Sequence, residues 1–206
     1  MDFDLAKTVF ESIYSGTNGF MISQAARKRL SYTDKSHTYG EVTPEGFKKI
    51  LDDIPDAKTG NFYDLGSGTG KGVILAAMFG SFSKLIGLEI IPELYQSSLH
   101  IRTKFEQNVR ALLSESQKSS NVSFIQANFL DYDFSDANVI FTHSTCFYDE
   151  LMMALEKKLH QVKTGTKIVT VTKNLISPAF NLIKSGEYLM TWGKATVNIY
   201  QKRQEI

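Results

Sequence analysis

Apolar positions recur at helical spacing over residues 3–14 and again over 21–30, separated by the polar, glycine-bearing stretch 15–19. Residues 31–42 carry no clear period and read as a loop ending in Tyr39-Gly40-Glu41. At Thr43-Pro44-Glu45 a hydroxyl cap, a proline in the first helical position and an acid in the first turn predict a helix start. Phe47, Ile50, Leu51 and Ile54 then fall on one face of that helix. From residue 61 short apolar runs alternate with longer amphipathic segments. Strands are expected at 61–65, 84–89, 122–126, 137–142 and 167–172, and helices at 72–79, 92–117 and 148–162, the last stopped by Gly165. Segments 188–192 and 196–202, joined through Gly193, read as a closing antiparallel hairpin.

Strands alternating with helices predict an α/β fold: a mostly parallel seven-stranded sheet, helices on both faces, and a short helical segment at the N-terminus. Ligands of such sheets bind beyond the carboxyl ends of the strands, where strand order reverses. Functional residues are therefore expected just after each strand. The length of 206 residues fits one domain, 1–206, divided into a helical cap with a closing loop (1–55) and a core (56–206).

Composition narrows the setting only a little. With 42% hydrophobic and 22% charged residues the chain is an ordinary globular sequence. The net charge of +1 gives no strong nucleic-acid signal, and Arg27-Lys28-Arg29, the densest basic run, reads as a solvated helix end. No stretch approaches the roughly 18 apolar residues that span a membrane, and the acidic start Met1-Asp2-Phe3-Asp4 lacks a secretory apolar region. One cysteine, Cys146, excludes an intramolecular disulfide. These features predict a soluble, intracellular protein. His37, His100 and His160 are scattered, so no metal site is expected.

The densest chemical signal is Asp64-Leu65-Gly66-Ser67-Gly68-Thr69-Gly70-Lys71. Glycines at alternate positions let the backbone turn sharply out of the first strand and approach a ligand closely. Glu89 follows the last glycine by 19 residues, at the end of the second strand, where an acid accepts hydrogen bonds from both ribose hydroxyls of an adenosine. The loop is Gly-x-Gly-x-Gly, not the Gly-x-Gly-x-x-Gly of dinucleotide binders, and the spacing of a P-loop is absent. Asp64 just before the loop would face a pyrophosphate unfavourably but suits the ammonium of a bound amino acid. S-adenosyl-L-methionine fits these residues better than NAD or ATP. The spacing resembles the first motif of the Rossmann-like class I methyltransferases.

A closer resemblance covers roughly residues 37–202. Tyr39-Gly40-Glu41, the Asp64–Gly70 loop, Gly87-Leu88-Glu89, Asn128-Phe129-Leu130, and Trp192-Gly193-Lys194 with residues 197–200 together resemble the disruptor-of-telomeric-silencing family, the non-SET histone-lysine methyltransferases. The resemblance implies that Tyr39 and Glu41 lie in a loop closing over the methionine end of the cofactor. It places Asp64, Gly66, Ser67, Gly68 and Gly70 around the cofactor, Glu89 at the ribose, and Asn128 and Phe129 beside the adenine. Asn128 stands where the family has aspartate; an amide oxygen still accepts from the adenine amino group.

After the fourth strand the family shows Asn-Asn-Phe-Ala-Phe-Gly as part of the lysine channel, whereas here His143-Ser144-Thr145-Cys146-Phe147-Tyr148 follows. A lysine acceptor must lose its proton before it attacks, since its free pKa is about 10.4, and an aromatic channel favours the neutral amine. Phe147, Tyr148 and Trp192 are candidate walls, with core packing as the alternative for Phe147 and Trp192. Together with Tyr39, His143, Phe147 and Tyr148 make up the candidate catalytic set. For His143, a base or orienting group and a hydrogen-bonded structural histidine both remain open. Cys146 reads as a packing residue. The expected activity is methyl transfer to a lysine of a protein. A small-molecule methyltransferase and a catalytically silent cofactor-binding subunit are the alternatives. Chromatin enzymes of the family hold nucleosomes through basic flanking segments; with no such segment here, a non-histone protein is the favoured partner and a histone the second.

Overall fold

The computed structural model describes residues 1–29, 40–55 and 58–204. Tyr39 and His37 lie outside the described residues. The N-terminal part forms α1 (Phe3–Tyr14), α2 (Gly19–Arg29) and α3 (Pro44–Asp53). The expected cap of α3 is present: Thr43 Oγ1 accepts from Gly46 N at 3.0 Å, with Pro44 in the first turn. Phe47, Ile50 and Leu51 form its buried face.

The core then runs β1 (Thr59–Leu65), α4 (Lys71–Phe79), β2 (Ser81–Glu89), α5 (Pro92–Asn108), α6 (Glu115–Lys118), β3 (Asn121–Gln126), β4 (Val139–Thr142), α7 (Asp149–Leu159), β5 (Lys167–Val171), β6 (Phe180–Met190) and β7 (Gly193–Lys202). Among the described residues these strands form one seven-stranded sheet in the order β3-β2-β1-β4-β5-β7-β6. The first five are parallel, and β7 enters antiparallel between β5 and β6. The expected sheet and its closing hairpin are therefore found.

Strand alternation sorts the side chains into two cores. Phe62, Leu85, Val139 and Val169 face α1, α3, α4 and α5, while Tyr63, Ile86, Ile140 and Ile168 face α7. Helix α4 is apolar almost all round, and residues 72–78 are all buried, as a helix enclosed by other layers requires.

Two elements depart from the sequence reading. The helix expected over 92–117 ends at Asn108, passes through a 3-10 turn at Arg110–Leu112, and restarts as α6. Ser114 and Gln117 form a capping box at that restart. Gln117 Nε2 also donates to Met78 O at 2.6 Å, tying the restart to the end of α4. The strand expected over 188–192 is the last part of β6, which starts eight residues earlier at Phe180. Trp192 sits in the turn.

Candidate active site

The strand order places the reversal between β1 and β4, with β1 leading into the glycine loop and β4 into the segment at His143. The loop needs its glycines: Gly66, Gly68 and Gly70 have φ of 84°, 57° and 89°, the left-handed region that other residues rarely adopt. A Cβ on Gly70 would also lie 2.4 Å from the Phe124 ring. Gly66 N and Ser67 N both donate to Leu88 O at 2.9 Å, which locks the loop to the end of β2.

Asp64 pairs in register with Gly87 of β2 and Phe141 of β4. Gly87 leaves space that Ser67 Oγ and Phe124 occupy, since a Cβ there would meet them at 2.6 and 2.5 Å. Asp64 is 3% exposed, and its Oδ1 is buried with no hydrogen-bond partner; the same is true of Ser67 Oγ. Burial pushes the Asp64 carboxyl well above the usual carboxylate range, and the neighbouring Glu89 charge adds to the shift. A buried carboxyl and a buried hydroxyl without partners mark a place where a polar ligand belongs.

Glu89 is buried and bridges two backbone segments. Oε2 accepts from Gly68 N at 2.7 Å, and Oε1 accepts from Ile91 N at 2.8 Å. Burial raises its pKa against the pull of the Ile91, Gly68 and Ile90 N–H groups. Each oxygen keeps a second lone pair, so the carboxylate can still accept from a vicinal diol. Further along this edge, Asn128 Oδ1 accepts from Leu130 N at 3.0 Å and also keeps a lone pair. The Phe129 ring stacks on Phe147, centroids 5.8 Å apart. The Phe147 ring lies close to Gly66, 3.8 Å from where a Cβ would sit.

His143 follows β4 directly. It packs edge-on against Trp192 at 4.8 Å, and Gly40 approaches so closely that a Cβ would lie 2.6 Å from its ring. Its Nε2 is buried without a partner, and desolvation lowers its pKa to about 4. His143, Asp64, Gly66, Ser67 and Glu41 line one cleft. Tyr148 is 44% exposed at the start of α7, and Trp192 is 48% exposed, so Phe147 is the buried member of the three candidate walls. Ser144, in the position of a family asparagine, is fully buried and donates to Val171 O at 2.9 Å, a structural role away from the cleft.

Sequence reasoning missed Lys71 and Tyr14. Lys71 Nζ lies 2.5 Å from Glu41 Oε2 in the same cleft, and 5.2 Å over the Tyr14 ring. Its position immediately after the last glycine was the available signal. Tyr14 donates from its hydroxyl to Thr69 O at 3.2 Å, bracing the loop from α1; on sequence it is one apolar-face residue among several. No local pattern marks Thr172, the one non-glycine with positive φ (70°) among the described residues. Its hydroxyl is 3.1 Å from that of Thr145 just past β4.

These residues fit S-adenosyl-L-methionine. Asp64 and Glu41 line the cleft together with Lys71, and Glu89 holds Gly68 N of the glycine loop, a set that suits a ligand carrying ammonium and sulfonium charges better than a pyrophosphate. Among the described residues no cluster of His, Cys, Asp or Glu could hold a metal, and no helix is long and apolar enough to cross a membrane.

Comparison with known proteins agrees with this geometry. Among solved structures, an RNA methyltransferase from Salinibacter ruber in complex with S-adenosyl-L-homocysteine superposes with a TM-score of 0.55 at 23% identity, covering 79% of this chain and 92% of its own. A class I S-adenosylmethionine-dependent methyltransferase described as putative, from Listeria monocytogenes, gives 0.56 at 10% identity over 92% and 70%. Both establish the class I methyltransferase fold. Histone-lysine N-methyltransferases specific for H3 lysine-79 are 31% identical over 68% of this chain in Caenorhabditis elegans and 33% identical over 75% in Dictyostelium discoideum. The matched region is only 15% and 8% of those relatives' lengths. A protein-lysine N-methyltransferase from Saccharolobus islandicus is 28% identical over 62% of this chain and 72% of its own length. The family model for the histone methylation protein DOT1 matches residues 19–201, nearly the whole sheet and the helices that cover it, and the chain belongs to that family.

Proposed function

We propose that this protein transfers a methyl group from S-adenosyl-L-methionine to the side-chain amine of a lysine in a protein substrate. The observation that carries this reading is the partnerless Asp64 carboxyl and Ser67 hydroxyl, buried beneath a glycine loop that Glu89 holds in place. Asp64 would take the ammonium of the cofactor, Glu89 its ribose hydroxyls, and Asn128 with Phe129 its adenine edge. When bound, S-adenosyl-L-methionine supplies a methyl carbon on a sulfonium, open to in-line attack by an amine lone pair.

The chain's own residues align the acceptor and keep water out. Phe147, buried and stacked on Phe129, gives the acceptor an apolar wall that favours the neutral amine. His143 is a positioning group and not the base. Desolvation lowers its pKa to about 4, which makes it a weak acceptor for a lysine proton. Its partnerless Nε2 suits a hydrogen bond to the acceptor.

The acceptor class is drawn from the relatives. Two of those named act on H3 lysine-79, and the shorter one from Saccharolobus islandicus is described only as a protein-lysine enzyme. The preference for a non-histone acceptor finds no support in them, so nucleosomes stand beside other proteins as the first acceptors to test. Wild type and Glu89→Ala are incubated with methyl-labelled S-adenosylmethionine plus nucleosomes or a cell lysate, and the products run on one gel. Label on a discrete protein band that disappears with Glu89→Ala is the expected result. Transfer only to small molecules, or cofactor binding with no transfer at all, overturns the reading.

A further inference from the structure

Ile176, just past β5, is 82% exposed, more than any other large apolar side chain among the described residues. Its backbone is nonetheless fixed. Ile176 N donates to Glu156 Oε2 at 3.1 Å, and Ser177 N donates to the same carboxylate, which is 8% exposed on α7. Leu175 N donates to the Tyr200 hydroxyl at 3.2 Å, and the Leu175 side chain is buried in the core beneath α7. Lys173 Nζ reaches Asp149, at the start of α7, at 3.0 Å. Asp149, Met153 and Glu156 follow one another at spacings of four and three residues and so share one face of the helix. Residues 173–176 therefore lie along that face. Met153, 65% exposed, stands between the two contact points, beside this segment.

An apolar side chain presented on hydrogen-bonded backbone loses little conformational freedom when a partner covers it, which is what a binding anchor needs. The two elements that carry this ridge leave the carboxyl ends of β4 and β5, next to His143 and Phe147, so the ridge runs outward from the cleft. Its charges are graded along the way. Asp149, 89% exposed, and the exposed Glu150 stand at the cleft end, and the exposed Lys157 lies one turn beyond Met153 at the far end. We propose that Met153 and Ile176 form a docking ridge for the acceptor protein, outside the place that takes the lysine itself. The partner that fits carries basic residues beside the methylated lysine, then an apolar side chain against the ridge, then an acid facing Lys157. The docking role rests on the methyl-transfer reading above. It makes the choice of acceptor depend on a surface as well as on a lysine.

The test measures transfer rate against acceptor concentration at saturating methyl-labelled S-adenosylmethionine, with a thermal melt of each protein. Wild type is compared with Ile176→Ser, with Ile176→Ser combined with Met153→Ser, and with Glu150→Lys. The acceptor is nucleosomes if these take label, and otherwise the most heavily labelled lysate protein, purified. The double variant should raise KM about tenfold or more, while kcat and S-adenosylmethionine affinity stay within about twofold of wild type. Ile176→Ser alone should raise KM roughly fivefold. Glu150→Lys should raise KM and flatten its increase with salt. A KM unchanged in the double variant or in Glu150→Lys overturns the proposal, as does a loss shared by kcat or by cofactor affinity. If the double variant loses its cooperative melt, the two single variants decide, and a wild-type KM in either overturns it. A wild type that labels no protein removes the methyl-transfer reading, and this proposal with it.

Discussion

Replacing Glu89 by alanine separates two jobs that the structure gives to one carboxylate. In the free protein Glu89 accepts from Gly68 N at 2.7 Å and from Ile91 N at 2.8 Å, and it is 6% exposed. Truncation leaves two buried N–H groups without their acceptor, at about 1–3 kcal/mol each. Relief of burying a charge and entry of water into the vacated space offset part of this, so the net loss should be roughly 2–4 kcal/mol. At about 2–4 °C per kcal/mol for a domain of this size, the melting temperature should fall by roughly 4–16 °C. Glu89→Gln keeps one acceptor oxygen and turns an amide NH2 toward the other N–H, so it should fall less. Cofactor affinity should drop at least tenfold in both variants, because each ribose hydrogen bond to a charged group is worth about 1.5–3 kcal/mol. Urea unfolding with calorimetric binding reads both effects. A variant that melts like wild type refutes the bridge from β2 to the glycine loop, and one that binds S-adenosylmethionine normally refutes the ribose assignment.

Three further outcomes follow from the same geometry. Glycine to alanine inside a helix usually stabilises by about 1 kcal/mol, but a Cβ on Gly72 would lie 2.4 Å from Asp64 Oδ2. Gly72→Ala should therefore weaken cofactor binding, and tighter or unchanged binding would contradict the placement of Asp64. Burial holds the Asp64 proton well above the usual range, so a cationic ligand that ionises it must release protons. Calorimetry in two buffers of different ionisation heat should show release by wild type and none by Asp64→Asn; equal release by both would be inconsistent with this. For His143, pushed down to about 4 from 6.5, the unfolded chain binds more protons between those values. Its contribution to stability is complete above pH 6.5 and is lost as pH falls toward 4. The stability of wild type relative to His143→Gln should decline across that window, and a flat difference would show the imidazole to be solvated.

What the sequence made legible was local. The glycine loop, the acid closing β2 and the cap at Thr43 each rest on residues close together in the chain, and each lies where the spacing put it. The break after Asn108 was hidden because residues 109–112 keep a helical pattern. The stop comes from the Ser114–Gln117 capping box and from Gln117 reaching Met78, a contact across the fold. The first half of β6 was hidden for a different reason. It is an edge strand exposed along 181–185, with a register shift between Leu182 and Lys184, so no alternation of apolar and polar residues announces it. The Glu41–Lys71 pair spans thirty residues and depends on how the hairpin holds the segment before α3, which no local pattern encodes.

The central claim is that this cleft delivers a methyl group to a protein lysine. Peptide mass spectrometry of a labelled acceptor, after incubation with S-adenosylmethionine and wild type or Glu89→Ala, tests it most directly. The account predicts one or more methyl increments on a lysine side chain with wild type and none with the variant. Increments confined to another residue type, or equal in the two samples, would contradict it.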